Sequence, residues 1–414
     1  MDLKELIMGS KVLFKDFEVF SENYIPERIL GREEQIRELV SYLKYVVRGQ
    51  PHSNIVIYGK SGSGKSTVVL YILRELRKII AEDGIDVRYR PVYVLCRDYR
   101  SEGQIIEQIV SDLRGERVTF KGWSISSYYE KLRDALSEVG GVVTVVLDEA
   151  NLMSKPNELL YNLSRIYVPK TFVCLICISN AVDFIRSLES RVLSSLQAIQ
   201  IVFPPYTAED LAEILRDRAQ RGLVEGALDE GVIELCAAIA AQSEGDARKA
   251  IALLKTAVQV AENEGSDKVT VKHVKEALEV YEKDVVRQTI TTLPLHHKAI
   301  ILSVVLCIEA GLHGSAGVRS GHAYIAYKNI CRVLGIDPYT QRRFTDFLNE
   351  LKELELVRVR YLSYGKRKGR AKVILLEGNP SSIKDAIIES ERFSGFDYQT
   401  FVKELRKLVS TIED

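Results

Sequence analysis

Short apolar runs alternate with amphipathic stretches along the first half of the chain. Four runs, "NIVIYG", "VYVLC", "VVTVVLD" and "TFVCLICIS", are rich in β-branched residues, which is typical of strands buried on both faces of a sheet. Between them lie stretches such as "STVVLYILRELRKI", whose apolar residues recur with helical spacing. This alternation predicts an α/β domain over residues 1–205, built on a doubly wound parallel sheet.

The strand pattern ends at Tyr206. Pro204 and Pro205 precede it, and a helix cannot run through a proline pair. Four successive helices are predicted after them: Ala208–Arg221, Asp229–Gln242, Asp246–Glu264 and Val271–Tyr281. Asp246 is a suitable N-cap for the third helix and Gly265 a suitable stop. Residues 206–293 are therefore predicted to form a small all-helical lid domain.

Three helices followed by a hairpin are predicted over residues 294–414. The helical stretches are "PLHHKAIILSVVLCIEAG", "AYIAYKNICRVLG" and "TQRRFTDFLNELKELEL", the last with Thr340 as a candidate N-cap. The strand-like runs "VRVRYL" and "AKVILLE" follow, on either side of "SYGKRKGR". This is the order of a winged helix-turn-helix domain, which places its third helix in the major groove of DNA and its hairpin along a neighbouring groove or backbone.

Positive charge is concentrated in this hairpin, although the chain is neutral overall. The 57 Lys and Arg residues balance the 57 Asp and Glu residues, which argues against an indiscriminate polyanion binder. Residues 363–372 nevertheless carry five cations and no acid: Lys366, Arg367, Lys368, Arg370 and Lys372. Such a tip can neutralise DNA phosphates, and Arg342 and Arg343 in the first turn of the third helix can reach base edges or phosphates. The alternative is a solvated loop, which also has this composition.

The apolar and cysteine patterns predict neither a membrane segment nor a metal site. No apolar run reaches the roughly 18–20 residues that a bilayer requires, so we expect a cytoplasmic, nucleoid-associated protein without membrane contact. Of the six cysteines, only Cys174 and Cys177 have metal-like spacing. They lie in a predicted buried strand, where residues three apart point to opposite faces, so we expect them to pack in the core.

A phosphate-binding motif follows the first predicted strand. "GKSGSGKS" fits G-x-x-x-x-G-K-[ST] and opens a helix directly after "NIVIY", the context that this motif requires. Its glycines allow backbone N–H groups to surround phosphate oxygens at a helix N-terminus. Lys65 is expected to reach the β- and γ-phosphates, and Ser66 to bind Mg²⁺. The nucleotide-binding residues predicted in this segment are Gly59, Lys60, Ser61, Gly62, Ser63, Gly64, Lys65, Ser66 and Thr67.

Polar side chains follow the next two predicted strands, at the edge where open α/β sheets bind ligands. Asp148 is expected to hold Mg²⁺ through water, and Glu149 to orient or deprotonate the attacking water. Asn180 ends the following strand and is expected to hold that water beside the γ-phosphate. Arg191 and Arg248 are candidates either for stabilising charge on the transferred phosphoryl group or for ordinary surface ion pairs.

These elements, in this order, resemble the AAA+ ATPases, and with the C-terminal region they resemble the archaeal origin-recognition initiators, the Orc/Cdc family. The resemblance covers nearly the whole chain. "YIPERILGREEQIREL" is similar to the family's segment before the nucleotide loop, and "AYIAYKNICRVLGIDPYTQRRFTDFLNELKELELV" is similar to its winged-helix core. The second stretch is the more specific one, because phosphate-binding loops occur in many families.

The resemblance implies roles for five residues around the nucleotide. Asn180 takes the sensor-1 position, Arg248 the sensor-2 position and Arg191 the arginine-finger position. Tyr206 and Arg218 fall where the family's lid meets the nucleotide.

The resemblance also implies a second DNA contact, in a helical insertion of the ATPase domain. "GERVTFKGWS" occupies that place, and its candidates are Phe120, Lys121 and Trp123; partial core burial is the alternative for Trp123. Two positions depart from the family pattern. Asn151 stands where an acidic residue is common, and Glu189–Ser190 precede Arg191 where the family tends to have Asp-Pro.

The function that these features imply is an ATP-controlled initiator of DNA replication that binds duplex DNA at origins and promotes helicase loading. ATP or ADP with Mg²⁺ is the expected cofactor, and weak ATPase activity is expected to serve as a switch. Paralogous initiator subunits and the replicative helicase are the expected protein partners. The alternatives are a clamp-loader-like helicase loader, which needs no basic wing, and a signalling ATPase whose winged helix regulates transcription.

Overall fold

Within the described residues, five parallel strands form the sheet that positions the glycine-rich motif in the computed structural model. The strands are β1 (Ile55–Tyr58), β2 (Tyr89–Leu95), β3 (Gly141–Asp148), β4 (Thr171–Ser179) and β5 (Ile199–Val202). Their order is β2-β3-β4-β1-β5. The four predicted strands are confirmed. The sequence pattern missed β5, which pairs with β1 at the edge of the sheet.

The structure describes most of the chain and divides into two units, Met1–Ala277 and Leu278–Asp414. The described residues are 12–21, 24–120, 122–181, 183–314, 317–354, 356–363, 370–390, 392–393 and 397–413. The three-domain division at residues 205/206 and 293/294 stays a prediction.

Helices cover both faces of the sheet in the first unit. They are α1 (Glu33–Leu43), α2 (Lys65–Glu82), α3 (Glu102–Arg114), α4 (Ile125–Val139), α5 (Pro156–Ser164), α6 (Phe184–Ser187) and α7 (Ser190–Leu196). Short 3₁₀ turns occupy Glu18–Phe20, Lys44–Arg48 and Ala150–Leu152. The apolar sides of the strands pack into separate clusters on the two faces of the sheet, as a doubly wound α/β domain requires.

Four further helices form the predicted lid: α8 (Ala208–Gly222), α9 (Val232–Gln242), α10 (Ala247–Asn263) and α11 (Val271–Thr292). The Asp246 side chain accepts hydrogen bonds from two backbone N–H groups of α10, and Gly265 follows that helix with φ +69°. Both end signals read from the sequence are therefore confirmed. The helix α11 continues beyond its predicted end at Tyr281, since no proline or glycine stops it there.

The second unit has the winged helix-turn-helix order that was predicted. Its helices are α12 (Leu295–Glu309), α13 (Ser320–Val333), α14 (Gln341–Glu353), α15 (Pro380–Ile388) and α16 (Tyr398–Glu413). Its strands are β6 (His313–Gly314), β7 (Gly317–Arg319), β8 (Val357–Ser363) and β9 (Arg370–Leu376), in the antiparallel order β6-β7-β9-β8. The pair β8–β9 is the hairpin of the wing, with Ser363 opposite Arg370.

Within the part of the chain that the structure describes, none of the helices combines the length and apolar character of a bilayer span.

The two cysteines with metal-like spacing are both buried. Cys174 and Cys177 are buried in different hydrophobic clusters. Burial raises the pKa of Cys174 to about 11 and that of Cys177 to about 12, so both side chains are neutral thiols packed in the core.

Candidate functional site: a nucleotide cleft and a nucleic-acid interface

A cleft of about 830 Å³ opens beside the phosphate-binding motif in the first unit. Five motif residues line it: Gly62, Gly64, Lys65, Ser66 and Thr67. The other four, Gly59, Lys60, Ser61 and Ser63, complete the loop, and Lys60 forms an exposed ion pair with Glu244 of the lid. The loop connects β1 to α2, so the positive end of a helix dipole faces the cleft.

Two glycines of the loop are required by both conformation and space. Gly62 has φ +68° and Gly64 has φ +84°, in the left-handed region that glycine adopts without strain. A Cβ atom at Gly62 would overlap the Asp246 carboxylate, and one at Gly64 would overlap the Tyr206 hydroxyl. The loop is therefore a cradle closed on one side by the lid, with no space for a side chain at Gly62 or Gly64.

Lys65 places a cation inside this cradle. Its ammonium group donates hydrogen bonds to the carbonyl oxygens of Gly59 at 2.7 Å and Lys60 at 2.6 Å. Burial lowers the pKa of Lys65 to about 8, against an opposing attraction from Asp148. A buried ammonium held by neutral oxygens has little charge compensation, and phosphate oxygens would supply it.

Asp148 is the centre of a compact hydrogen-bond network at the end of β3. The Ser66 hydroxyl donates to its Oδ2 atom at 2.6 Å, and the Tyr93 hydroxyl donates to the same oxygen. Its Oδ1 atom accepts from the Glu149 backbone N–H at 2.8 Å. Burial raises the pKa of Tyr93 above its ordinary value, so this phenol stays protonated. A hydroxyl and a carboxylate in contact are the oxygen donors that Mg²⁺ prefers, and the predicted pair Ser66 and Asp148 fits that ion.

Glu149 stands in a strained position beside this network. Its backbone has φ 53° and ψ 42°, a left-handed conformation that is costly for a residue with a side chain. Its Oε2 atom is buried and has no hydrogen-bond partner among the described residues. An unsatisfied buried carboxylate oxygen at the wall of the cleft fits a group that accepts a proton or orients a water.

Asn180 enters the same cleft from the end of β4. Its backbone N–H donates to the Asn151 side-chain oxygen at 3.2 Å, and the Ser179 hydroxyl donates to that oxygen at the same distance. Asn151, one of the two departures from the family pattern, thus joins the end of β3 to the end of β4. A neutral amide oxygen does this without adding a negative charge near Asp148 and Glu149.

The lid supplies the opposite wall. Arg218 donates to the Val19 carbonyl oxygen at 2.6 Å and lies over the Tyr24 ring at 4.3 Å. Tyr206, Arg218 and Arg248 all line the cleft. Of these, Arg248 is exposed and lies at the start of α10. The structure therefore brings the lid residues predicted for the nucleotide to one cleft with the loop and the acidic pair.

Sequence reasoning named the segment before the loop but not its individual residues. The lining residues from this part of the chain are Phe20, Ser21, Tyr24, Ile25, Pro26, Arg28, Ile29 and Leu30. Arg97 and Lys255 also line the cleft and were not predicted. Each is an isolated cation at the end of a strand or on a helix, and no spacing signal distinguishes it from other surface cations.

Arg191 lies outside the residues that line this cleft. It is exposed on α7, where its Nε atom contacts Glu189 at 2.6 Å and its guanidinium lies 5.4 Å from the Tyr161 ring. The Glu189 backbone N–H donates to the Asn157 side-chain oxygen at 2.9 Å, which holds the start of α7 in place of the family's Asp-Pro turn. The arginine-finger assignment of Arg191 stays a prediction.

The predicted insertion contains a pair of stacked aromatic rings. Phe120 is only 3% exposed, whereas Trp123 is 49% exposed and stacks on it at 5.2 Å. The Phe120 ring is packed in the core beneath Trp123, and the DNA contact expected of Phe120 stays a prediction. Lys121 lies outside the described residues.

In the second unit, α14 presents the two predicted arginines. Arg342 and Arg343 are exposed in its first turn, and Thr340 caps the helix by accepting from the Arg343 backbone N–H. The Arg343 guanidinium lies 4.5 Å from the Phe347 ring and 3.8 Å from the Asp346 carboxylate. This arginine is thus held on the helix surface while its charge remains accessible.

Two tyrosines of α13 fix the turn that leads into α14. The Tyr327 hydroxyl accepts from the Tyr339 backbone N–H at 3.1 Å, and the Tyr324 hydroxyl donates to the Tyr339 carbonyl oxygen at 3.0 Å. Tyr327 is itself fully buried against Phe344 of α14. These contacts set the orientation of the two helices in the helix-turn-helix.

The tip of the wing falls mostly outside the described residues. Lys366, Arg367 and Lys368 lie there, and Arg370 begins β9 with a side chain that is not described. Lys372 is described, and partial burial lowers its pKa while the Asp346 charge opposes this shift.

Family models match three successive parts of the chain. The AAA ATPase domain matches residues 28–167, the Cdc6 AAA+ ATPase-type lid domain matches residues 212–279, and the C-terminal winged-helix domain of CDC6 matches residues 288–386. The first match covers strands β1 to β3 of the sheet, and the other two cover most of the lid helices and the winged helix.

Curated relatives and a solved structure match nearly the full length. The chain is 37% identical to ORC1-type DNA replication protein 1 of Archaeoglobus fulgidus, over 99% of this chain and 98% of that protein. It is 38% identical to an ORC1-type DNA replication protein of Thermococcus onnurineus over 92% of each chain. The Aeropyrum pernix ORC1 protein, solved in complex with DNA, superposes with a TM-score of 0.82 at 34% identity over 92% of this chain and 98% of that one. The chain belongs to the family of archaeal ORC1-type DNA replication proteins.

Proposed function

We propose that this protein initiates DNA replication by binding duplex DNA at origins, and that ATP or ADP in its cleft controls this activity. The observation that carries the proposal is the convergence of Lys65, Ser66, Asp148, Glu149 and Asn180 on one cleft of a chain that also carries a winged helix with exposed arginines. A nucleotide site and a DNA-reading element on one chain supply the two parts that such a switch needs.

The cleft residues divide the work of nucleotide binding and slow hydrolysis. When bound, Mg²⁺ would neutralise phosphate charge and would be held by Ser66 and Asp148. Lys65 and the loop amides bind the phosphate oxygens. Glu149, whose buried Oε2 is unsatisfied, orients a water or accepts its proton, and Asn180 positions that water. Arg248 adds positive charge from the lid.

DNA binding is proposed for α14, for the wing and for Trp123. Arg342 and Arg343 are exposed at the end of α14 that winged helices direct to base edges. The cations of residues 366–372 are proposed to contact phosphates. The matching Aeropyrum structure is a complex of that ORC1 protein with DNA, which supports a DNA-binding role for this chain.

Assembly with paralogous initiator subunits and loading of the replicative helicase are the proposed outcome of the switch. Arg191 is exposed and lies outside its own cleft, so a neighbouring subunit's nucleotide is the ligand that it could reach. A weak ATPase suits a switch, because occupancy rather than turnover sets the state.

Binding isotherms with and without ATP test this proposal. The protein is titrated onto a random duplex, an inverted-repeat duplex from an archaeal origin and a promoter duplex, all at one salt concentration. The proposal expects preference for the repeat and a dependence on ATP. A clamp-loader-like loader would show no sequence preference, and a signalling regulator would prefer promoter duplexes to origin repeats.

A further inference from the structure

Arg32 is a buried arginine that lies behind the phosphate-binding loop and does not line the cleft. It is 3% exposed. Burial lowers its pKa, and the nearby Asp210 and Glu33 charges oppose this shift without a direct ion pair to Arg32 among the described residues. Burying a charge without a paired acid costs several kcal/mol unless hydrogen bonds compensate. The groups that compensate the Arg32 charge identify the segments of the chain that this residue connects.

Its guanidinium bonds carbonyl oxygens from separate segments of the chain. The Nε atom donates to Ser63 of the loop at 2.9 Å, and an Nη atom donates to Pro204, two residues before the predicted lid begins, at 2.6 Å. The other Nη atom donates to the adjacent Gly31 at 2.9 Å. The planar guanidinium fork can hold such divergent acceptors at once, whereas the point charge of a lysine cannot.

The same group is stacked on the first residue of the lid. The Arg32 guanidinium carbon lies 3.5 Å from the centre of the Tyr206 ring, close enough for a strong cation–π contact. The Tyr206 hydroxyl in turn approaches Gly64 of the loop. Gly31, the residue before Arg32, has φ +67° and packs against Asp210, whose side chain completes the N-terminal cap of α8.

We infer that Arg32 is a positioning residue that transmits nucleotide occupancy of the loop to the orientation of the lid. Phosphates that bind the loop amides reorganise the backbone around Ser63, and Arg32 carries this change to Pro204 and Tyr206, where the lid begins. The inference rests on the proposed nucleotide switch and adds the residue through which it acts. The buried hydrogen bond to Ser63, the partly buried one to Pro204 and the ring contact with Tyr206 make this link stiff.

The test compares Arg32→Lys with the wild-type chain at saturating ADP, so that differences in affinity do not enter. Hydrogen exchange of the α8 amides, residues 208–222, is measured with and without ADP. In the wild type we expect ADP to slow this exchange by about tenfold, a coupling of ordinary size. In Arg32→Lys the charge remains but the fork and the stacked plane are absent, and we expect ADP to slow exchange less than about twofold.

Two further variants make the result specific. Tyr206→Leu removes the stacked ring but leaves the carbonyl bonds of Arg32, and it should also weaken the response of α8. Arg37→Lys is the matched control, because Arg37 is exposed on α1, the helix that Arg32 directly precedes, and it should respond as the wild type does.

A full α8 response in Arg32→Lys would overturn the inference and leave the proposed switch intact. If ADP binds the wild type without changing α8, no coupling exists, and the inference falls with the nucleotide switch. If the wild type binds no ADP, the proposed nucleotide function itself fails. The amide protection of each variant without ADP shows whether it is folded, and calorimetric titration verifies saturation with ADP.

Discussion

The nucleotide cleft and the winged helix hold their cations in opposite ways. Lys65 is 4% exposed and donates to two loop carbonyl oxygens, whereas Arg342 and Arg343 are exposed at the end of α14. A buried charge is fixed in one geometry, and its removal leaves partners unsatisfied. Exposed cations on a DNA-binding surface are several and act additively, and salt weakens each of them.

This difference predicts two kinds of response to substitution. In the cleft, single residues should have large effects that depend on the identity of the side chain. On the winged helix, effects should be graded, should add up over several residues, and should scale with salt concentration.

Glu149→Gln should lower the rate of ATP hydrolysis by about 10²–10⁴-fold and leave ATP affinity nearly unchanged, because the amide cannot accept a proton. Single-turnover hydrolysis and equilibrium ATP binding measure the two effects separately. Glu158→Gln is the control, since Glu158 is exposed on α5. Hydrolysis at the wild-type rate in Glu149→Gln would remove this residue from the chemistry.

Lys65→Ala should weaken ADP binding by about 100-fold, because each hydrogen bond from a charged donor contributes roughly 1.5–3 kcal/mol. Calorimetric titration with ADP measures the change. Lys78 lies on the same helix but is exposed and pairs with Glu82, so Lys78→Ala should bind ADP as the wild type does. Equal affinities in the two variants would contradict the placement of Lys65 in the phosphate site.

Replacing Lys366, Arg367, Lys368 and Arg370 together by Ala should weaken binding to every duplex sequence. The slope of log affinity against log salt should fall by about 0.9 for each phosphate that is no longer neutralised. A control that replaces four exposed lysines of the α11 region, Lys268, Lys272, Lys275 and Lys283, makes the same change in net charge. If both quadruple variants behave alike, the wing is a solvated loop.

Arg343→Ala should instead cost about 1–3 kcal/mol of DNA-binding free energy and relax specificity at one base position.

The affinity for ADP should fall as pH rises through about 8, the lowered pKa of Lys65, by up to tenfold per pH unit. Phosphates bind the protonated ammonium, so binding above this pH must take up a proton. The nucleotide-free protein should gain stability between about 8 and the ordinary value of 10.5, because the unfolded chain then binds more protons than the folded one. Titrations in two buffers of different ionisation enthalpy measure the uptake. Lys65→Arg, always charged, should remove the pH dependence of ADP affinity. A wild-type affinity that does not change with pH would contradict the lowered pKa of Lys65.

Features with local chemical causes could be predicted from the sequence. The glycine-rich loop, the caps at Asp246 and Thr340, and four of the sheet's strands depend on residue type at fixed spacing, and the structure confirms them. The strand β5 was missed, because its four residues, Ile199–Val202, include a polar Gln200 and resemble a connecting segment.

Features that depend on tertiary neighbours could not be predicted. Arg32 appears in the sequence as one cation among acidic residues, and only the folded chain brings Ser63 and Pro204 to it. The left-handed backbone of Glu149 has no sequence signal. The sequence offered partial core burial as the alternative for Trp123 alone, yet Phe120 has the core position and Trp123 is half-exposed. The sequence therefore predicts local structure better than it predicts which side chains are buried.

The smallest expected effect concerns the aromatic pair of the first unit. Trp123→Ala removes an exposed ring, and Phe120→Ala removes the ring that supports it. If Trp123 contacts the same duplex as the winged helix, the double variant should shorten the nuclease footprint and lower DNA affinity by less than about tenfold, since one aromatic contact contributes roughly 0.5–1.5 kcal/mol.

The salt slope should stay unchanged in this double variant, because no charge is removed, and ADP affinity should stay unchanged because neither residue lines the cleft. Tyr167→Ala is the control, since Tyr167 is an aromatic residue of the first unit that is 79% exposed. A shorter footprint with an unaltered salt dependence would separate an uncharged contact in the first unit from the phosphate contacts of the wing. A footprint of unchanged length would remove Trp123 from the DNA contact and leave the winged helix as the source of DNA affinity.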